Sequence, residues 1–182
     1  MSLLRFEDVA LRRGGRLLFE NLDLALRPGD ALQVSGPNGS GKSSLVRLAA
    51  GLLGAERGHV DRSDLALADD NLALDRELPL RRALQFWEAD VDQAIDSAGI
   101  GHLANVPIRL LSSGQAKRAA LARVFASPAQ LWLLDEPLNG LDADGETRLS
   151  SMMEQHRKRG GAVLAASHQP MPGNWRVLEL KA

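Results

Sequence analysis

The run Ala31-Leu-Gln-Val-Ser35, followed by Gly36-Pro-Asn-Gly-Ser-Gly-Lys-Ser43 and an apolar stretch to Ala50, decides the fold. Ala31 to Ser35 is too short for a helix and reads as a buried strand, whereas Lys42 to Ala50 reads as a helix stopped at Gly51. The loop between them has the spacing Gly-x-x-x-x-Gly-Lys-Ser. Gly36, Gly39 and Gly41 let the backbone take turns that a Cβ would hinder, so successive N–H groups converge on an anion at a helix N-terminus. Lys42 is placed to bridge the β- and γ-phosphates of a nucleotide, and the Ser43 hydroxyl to complete a Mg²⁺ shell. Gly-Pro-Asn-Gly is also an ordinary turn composition, but its place between an apolar strand and an apolar helix favours the phosphate cradle.

Working outward, Leu131-Trp-Leu-Leu134 is a second short apolar run, and it ends in Asp135-Glu136-Pro137. A buried strand thus delivers two adjacent carboxylates that repel each other and need a cation; two solvated acids at a strand end are the alternative. Val163 to Ala166 is a third such run, with a helix predicted between the two from about Asp144 to Arg159. Leu3 to Leu11 and Leu17 to Leu26 read as strands around Arg12-Arg-Gly-Gly-Arg16, and Trp175 to Leu180 as a last strand. Pro79 to Ala89, Val91 to Ala98 and Gln115 to Phe125 read as helices. The expectation is an α/β chain whose mostly parallel central sheet binds its ligand at the carboxyl ends of the strands.

Composition sets bounds on the rest. A chain of 182 residues, 45% apolar and 25% charged, fits a single domain over 1–182. Net charge of −1 supplies no overall field toward nucleic acid, so no nucleic-acid partner is expected. Absence of cysteine removes disulfides and thiolate chemistry, and the four histidines show no metal-ligand spacing. The apolar stretches break well before the roughly 20 residues of a membrane span, and the N-terminus lacks a signal-peptide pattern. If the protein works at a membrane, other chains are expected to supply the spans.

Leu111-Ser-Ser-Gly-Gln115, joined to the phosphate loop and the carboxylate pair, resembles the signature of the ABC-type ATPases. The resemblance implies a P-loop NTPase fold with an N-terminal antiparallel β part and a small helical subdomain at approximately 76–127. It assigns ATP to Gly36, Pro37, Asn38, Gly39, Ser40, Gly41, Lys42, Ser43 and Ser44. Mg²⁺ falls to Ser43 and Asp135, with Glu136 as the general base toward water. Ser112, Ser113, Gly114 and Gln115 at a helix N-terminus form a second anion site, which in the family closes on the γ-phosphate held by the opposing copy. Read by themselves, Ser112 and Ser113 are also good helix caps.

The same resemblance places Asp142, in Asn139-Gly-Leu-Asp142, at the loop that couples the two sites of a head-to-tail dimer. It places His168 at the residue contacting γ-phosphate, although an isolated histidine after a strand is commonly a surface residue. Three positions depart from the family pattern. Ser113 stands where Gly is commonest, at a cost of about 1 kcal/mol if that position needs a positive φ. Asn71 stands where a glutamine senses Mg²⁺ and the membrane partner, one methylene short. Arg13 stands where an aromatic residue stacks adenine, with its guanidinium plane as the substitute.

Within the family, the chain is most similar to the ATP-binding subunits of haem exporters in cytochrome c biogenesis. Leu18-Phe-Glu-Asn-Leu22, Gln33-Val-Ser-Gly36, Val106-Pro-Ile-Arg109 and Ser167-His-Gln169 carry that likeness. It implies an ATPase peripheral to the cytoplasmic face of a bacterial inner membrane, acting through integral membrane subunits on haem export or on release of haem from its periplasmic carrier. No direct haem binding by this chain is expected. Arg76 to Trp87 is the candidate docking surface for a membrane subunit, or else an ordinary core-facing helix. The motor of another small ABC transporter and a monomeric P-loop kinase are the other readings, of which the kinase leaves Leu111 to Gln115 unexplained.

Overall fold

The computed structural model describes residues 1–87 and 90–181, which fall into two compact units. The first comprises Met1–Leu67, Ala129–Pro137 and His156–Ala182. Its elements are strands β1 (Leu4–Arg13), β2 (Arg16–Leu26) and β3 (Ala31–Ser35), helix α1 (Lys42–Ala49), strand β4 (Arg57–Arg62), all but the last residue of β5 (Leu65–Ala68), and strands β6 (Leu131–Asp135), β7 (Ala162–Ala166) and β8 (Arg176–Glu179). An antiparallel sheet has the order β2-β1-β4, and a five-stranded sheet the order β5-β6-β7-β3-β8.

In the larger sheet, β3 lies between β7 and β8 and runs parallel to both, and β6 runs parallel to β7. Every residue of β6 and β7 is buried, as strands covered on both faces require, which is why they read as unbroken apolar runs. Helix α1 packs on β6 and β7. Leu45, Val46 and Leu48 of the helix join Leu32, Val34, Leu131, Leu133 and Leu164 of the sheet in one core that reaches Phe6 and Leu26. Parallel register brings the carboxyl ends of β6, β7 and β3 side by side, with Asp135 opposite Ala166.

The second unit comprises Ala68–Pro128 and Leu138–Gln155. It holds helices α2 (Leu80–Leu84), α3 (Val91–Ser97) and α4 (Ser113–Phe125) and most of α5 (Ala143–Lys158). Leu80, Leu84, Ile95, Ile100, Ile108, Ala119 and Ala122 form its core.

Several boundaries differ from those predicted. The first hairpin closes on Gly14 and Gly15 alone, because both take positive φ and allow a tight two-residue connection. The helix predicted over Pro79 to Ala89 is a single α turn and a half followed by a 3₁₀ turn, Gln85–Trp87; Glu88 and Ala89 lie outside the described residues. Strands β4 and β5 were not expected. β4 is mostly exposed and polar, and pairing with β1, Val60 opposite Phe6, makes it a strand.

Candidate active site

Backbone conformation builds the phosphate loop. Gly36, Gly39 and Gly41 have φ of 141°, 81° and 104°, values that side chains disfavour. At Gly36 space is also closed: a Cβ there would lie 2.4 Å from the Leu180 carbonyl oxygen and 2.8 Å from Ser40 Oγ. Pro37, Asn38 and Gly39 are exposed at the tip, whereas Ser40 and Ser44 are buried. Lys42 is buried and donates from Nζ to the Gly36 oxygen at 2.9 Å and the Pro37 oxygen at 3.3 Å. An ammonium resting on its own loop's carbonyls is held ready for a better acceptor, such as phosphate. Arg13 reaches the same loop, its Nη1 donating to Ser44 Oγ at 3.4 Å.

The acids arrive from the neighbouring strand. Ser43 Oγ donates to Asp135 Oδ1 at 3.0 Å, and Asp135 is 2% exposed. Two hard oxygen donors therefore meet at the end of the loop, a donor set suited to Mg²⁺ that takes its remaining ligands from phosphate and water. Among the described residues no group of three or more acids, histidines or cysteines gathers to hold a metal without such help.

Among the described residues, Glu136 is one of four non-glycine residues with positive φ, at 45°. The left-handed turn directly after β6 costs about 1 kcal/mol, and its N–H is tied to the Ala166 oxygen at 2.8 Å. His168 lies past the end of β7, and its Nδ1 is 2.8 Å from Glu136 Oε2, with the His168 N–H at 3.5 Å from the same oxygen. A carboxylate only accepts, so Nδ1 carries the proton and Nε2 is left facing the Gln169 side chain at 3.4 Å.

In the second unit, Ser112 caps α4. Its Oγ accepts from the Gln115 N–H at 3.3 Å while Gln115 Oε1 accepts from the Ser112 N–H at 2.9 Å, a reciprocal capping box. Ser113 is the first helical residue, so the strain of a positive φ does not arise there, and the helix starts two residues before the predicted Gln115. A Cβ at Gly114 would lie 3.1 Å from the Gly140 oxygen. Asn71 is turned onto Asp69, donating from its N–H to Oδ1 at 3.0 Å and from Nδ2 to Oδ2 at 3.3 Å. A pocket of about 350 Å³ is lined by Asp69, Ser113, Lys117 and Asn139 among others.

Asp142 accepts from the Gly145 N–H at 2.9 Å and from Arg118 Nη2. The Gly145 N–H and then Arg118 hold its carboxyl below the usual carboxylate range. Arg118 also donates to Asp144 at 2.9 Å and to the Ala98 oxygen at 3.0 Å, so it ties the Asn139–Asp142 loop to α4 and to the end of α3. Burial opposes its charge, but the hydrogen bonds to Asp144 and Asp142 outweigh that and raise its pKa. Sequence reasoning gave Arg118 no role. An arginine one turn into a helix looks solvated until the fold shows what surrounds it.

Thus the first unit brings together Lys42, Ser43, Asp135, Glu136 and His168, with Arg13 at Ser44, and the second holds Ser112 to Gln115, Asp142 and Asn71.

The ABC transporter family profile matches residues 19–139. The chain is 55% identical over 174 residues to the cytochrome c biogenesis ATP-binding export protein CcmA of Sphingopyxis alaskensis, covering 91% of this chain and 90% of that one. It is 52% identical to the protein of the same name from Novosphingobium aromaticivorans, covering 90% and 87%. Among solved structures, an ATP-binding subunit of an ABC transporter superposes with a TM-score of 0.84 at 20% identity, covering 92% and 80%. A dimeric ATP-binding cassette in a post-hydrolysis state, bound to ADP and Pi, superposes with a TM-score of 0.80 at 18% identity, covering 91% and 88%, and like the first supports the fold. The chain belongs to the ABC transporter family, as an ATP-hydrolysing cassette among the CcmA ATP-binding proteins.

Proposed function

We propose that this ATPase drives a membrane complex of cytochrome c biogenesis, acting on haem export or on release of haem from a periplasmic carrier. The names of its relatives support the pathway. The hydrolytic step rests on one observation, the 2.8 Å contact between Glu136 Oε2 and His168 Nδ1 beside the Ser43–Asp135 pair.

In this reading ATP lies along Gly36 to Ser44, with Lys42 released from its loop carbonyls onto the β- and γ-phosphates and Arg13 beneath the adenine. Ser43 and Asp135 hold Mg²⁺, which neutralises phosphate charge when bound. Glu136 orients water in line with the γ-phosphorus and takes its proton as the new P–O bond forms and the bond to the bridging oxygen breaks. His168 keeps that carboxylate in place and stabilises the transferred group.

Ser112, Ser113, Gly114 and Gln115 of a second copy close on the γ-phosphate, and Asp142 couples the two sites, so the active form is a head-to-tail homodimer. The helical subdomain docks on integral membrane subunits from the cytoplasmic face. Its exposed Phe86 and Leu110, among Arg81, Arg82 and Arg109, suit an amphipathic partner. No helix of the described residues is long and apolar enough to cross a membrane.

Glu136→Gln tests the reading. Nucleotide binding should persist, hydrolysis should fall by about two orders of magnitude or more, and ATP should trap a dimer detectable by sedimentation. Hydrolysis at the normal rate refutes Glu136 as the base. Haem involvement is tested by co-purification from native membranes with the absorption spectrum of bound porphyrin recorded, and a complex devoid of porphyrin and of haem-handling partners refutes it.

A further inference from the structure

Gln33 is a polar residue in the middle of a buried strand, 6% exposed, between Ala165 of β7 and Val177 of β8. Its neighbours Leu32 and Val34 belong to the core. A buried amide in such a place is costly unless its hydrogen bonds are made. All three that it makes go to the backbone of one short segment. Nε2 donates to the Gln169 oxygen at 2.8 Å and to the Ser167 oxygen at 3.3 Å, and Oε1 accepts from the Met171 N–H at 3.1 Å.

That segment carries His168. It has left β7 and has no strand partner to set its path beyond Ser167, whose N–H donates to the Val34 oxygen at 3.1 Å. A second set of bonds tightens the same turn: Ser167 Oγ donates to the Gln169 oxygen at 2.8 Å and accepts from its N–H at 3.1 Å. Gln33 therefore grips the chain on both sides of His168 without touching the imidazole. The imidazole in turn lies on Glu136.

We propose that Gln33 is a positioning residue for ATP hydrolysis: its amide shapes the Ser167–Met171 turn so that His168 rests against Glu136. The proposal builds on the reading of Glu136 and His168 as the hydrolytic pair. It adds a requirement for a residue that contacts neither nucleotide nor water.

Gln33→Met keeps the volume and the strand while deleting both donor and acceptor. Gln33→Glu keeps the acceptor for Met171 but sets an oxygen against two carbonyls, and it serves as the second variant should the first fold poorly. In the full chain, either should lower kcat by about tenfold with KM for ATP changed by about twofold or less. Amide exchange at Gln169 and Met171 should accelerate by about tenfold as the turn loosens. Added to His168→Ala, Gln33→Met should cause no further loss, since both act through one group.

An unchanged kcat, a loss that adds in full to that of His168→Ala, or unchanged exchange at Gln169 and Met171 each overturns the proposal. Failure of the underlying reading looks different, because Glu136→Gln and His168→Ala would then hydrolyse ATP normally in the parent background. The exchange measurement decides the turn's dependence on Gln33 in either case.

Discussion

Gly36→Ala should damage this protein far more than its one added methyl suggests. The new Cβ would lie 2.4 Å from the Leu180 carbonyl oxygen, where real Cβ atoms essentially never approach within 3.0 Å. Loop or carbonyl must therefore retreat by at least 0.6 Å, the difference between those two distances. Leu180 is not free to yield, because its N–H donates to the Ser35 oxygen at 2.8 Å, one residue before the substitution. The φ of 141° adds strain of its own. Overpacking at about 1–3 kcal/mol and backbone strain at about 1–3 kcal/mol put the cost near 3 kcal/mol or more. For a chain of this size that is a fall in Tm of about 6–12 °C.

Gly29→Ala is the matched control. Its φ is 89°, but nothing lies within 4 Å of the point a Cβ would occupy, so only strain of about 1 kcal/mol and about 2–4 °C is expected. Thermal unfolding by circular dichroism and titration with a fluorescent ATP analogue measure both effects. Gly36→Ala should lose nucleotide affinity because the Lys42 acceptor at Gly36 shifts, and Gly29→Ala should keep it. Equal destabilisation by the two variants would refute the argument that Leu180 closes the space behind the phosphate loop.

Lys42→Ala should weaken ATP binding by about 2 kcal/mol, near thirtyfold, as measured by titration calorimetry, since a charged donor to phosphate is lost. His156 stacks on Trp132 with ring centroids 3.8 Å apart, and burial holds its pKa below the ordinary 6.5. The folded chain therefore resists a proton that the unfolded chain accepts, so stability should decline as pH falls below about 6.5. His156→Phe keeps the stack, and denaturant unfolding at pH 7.5 and 5.5 should show a smaller difference than in the parent. Arg118→Met should lower Tm at pH 7 by releasing Asp142, Asp144 and Ala98. Because Asp142 and Asp144 titrate below the ordinary 3.8, that deficit should shrink in acid as the parent's carboxylates protonate and lose the same pairs.

The parallel core of this fold was legible in the chain because β3, β6 and β7 are buried on both faces and so spell near-continuous apolar runs. The phosphate loop was legible because phosphate binding needs glycines at set intervals, and the acids because they end such a run. The same local logic failed for β4, whose polar residues become a strand only by pairing with β1, and for the helix after Pro79, which turns 3₁₀ at Gln85. The contact of His168 with Glu136 joins residues distant in sequence, brought close by the adjacency of β6 and β7. The roles of Gln33 and Arg118 are likewise tertiary: an amide and a guanidinium acquire meaning from the backbone oxygens and carboxylates that packing sets around them. Sequence by itself determined which chemistry the chain holds, since that depends on residue type and spacing along one segment. Only the tertiary structure decided how those groups are held, since their hydrogen bonds are made between segments that the chain alone does not order.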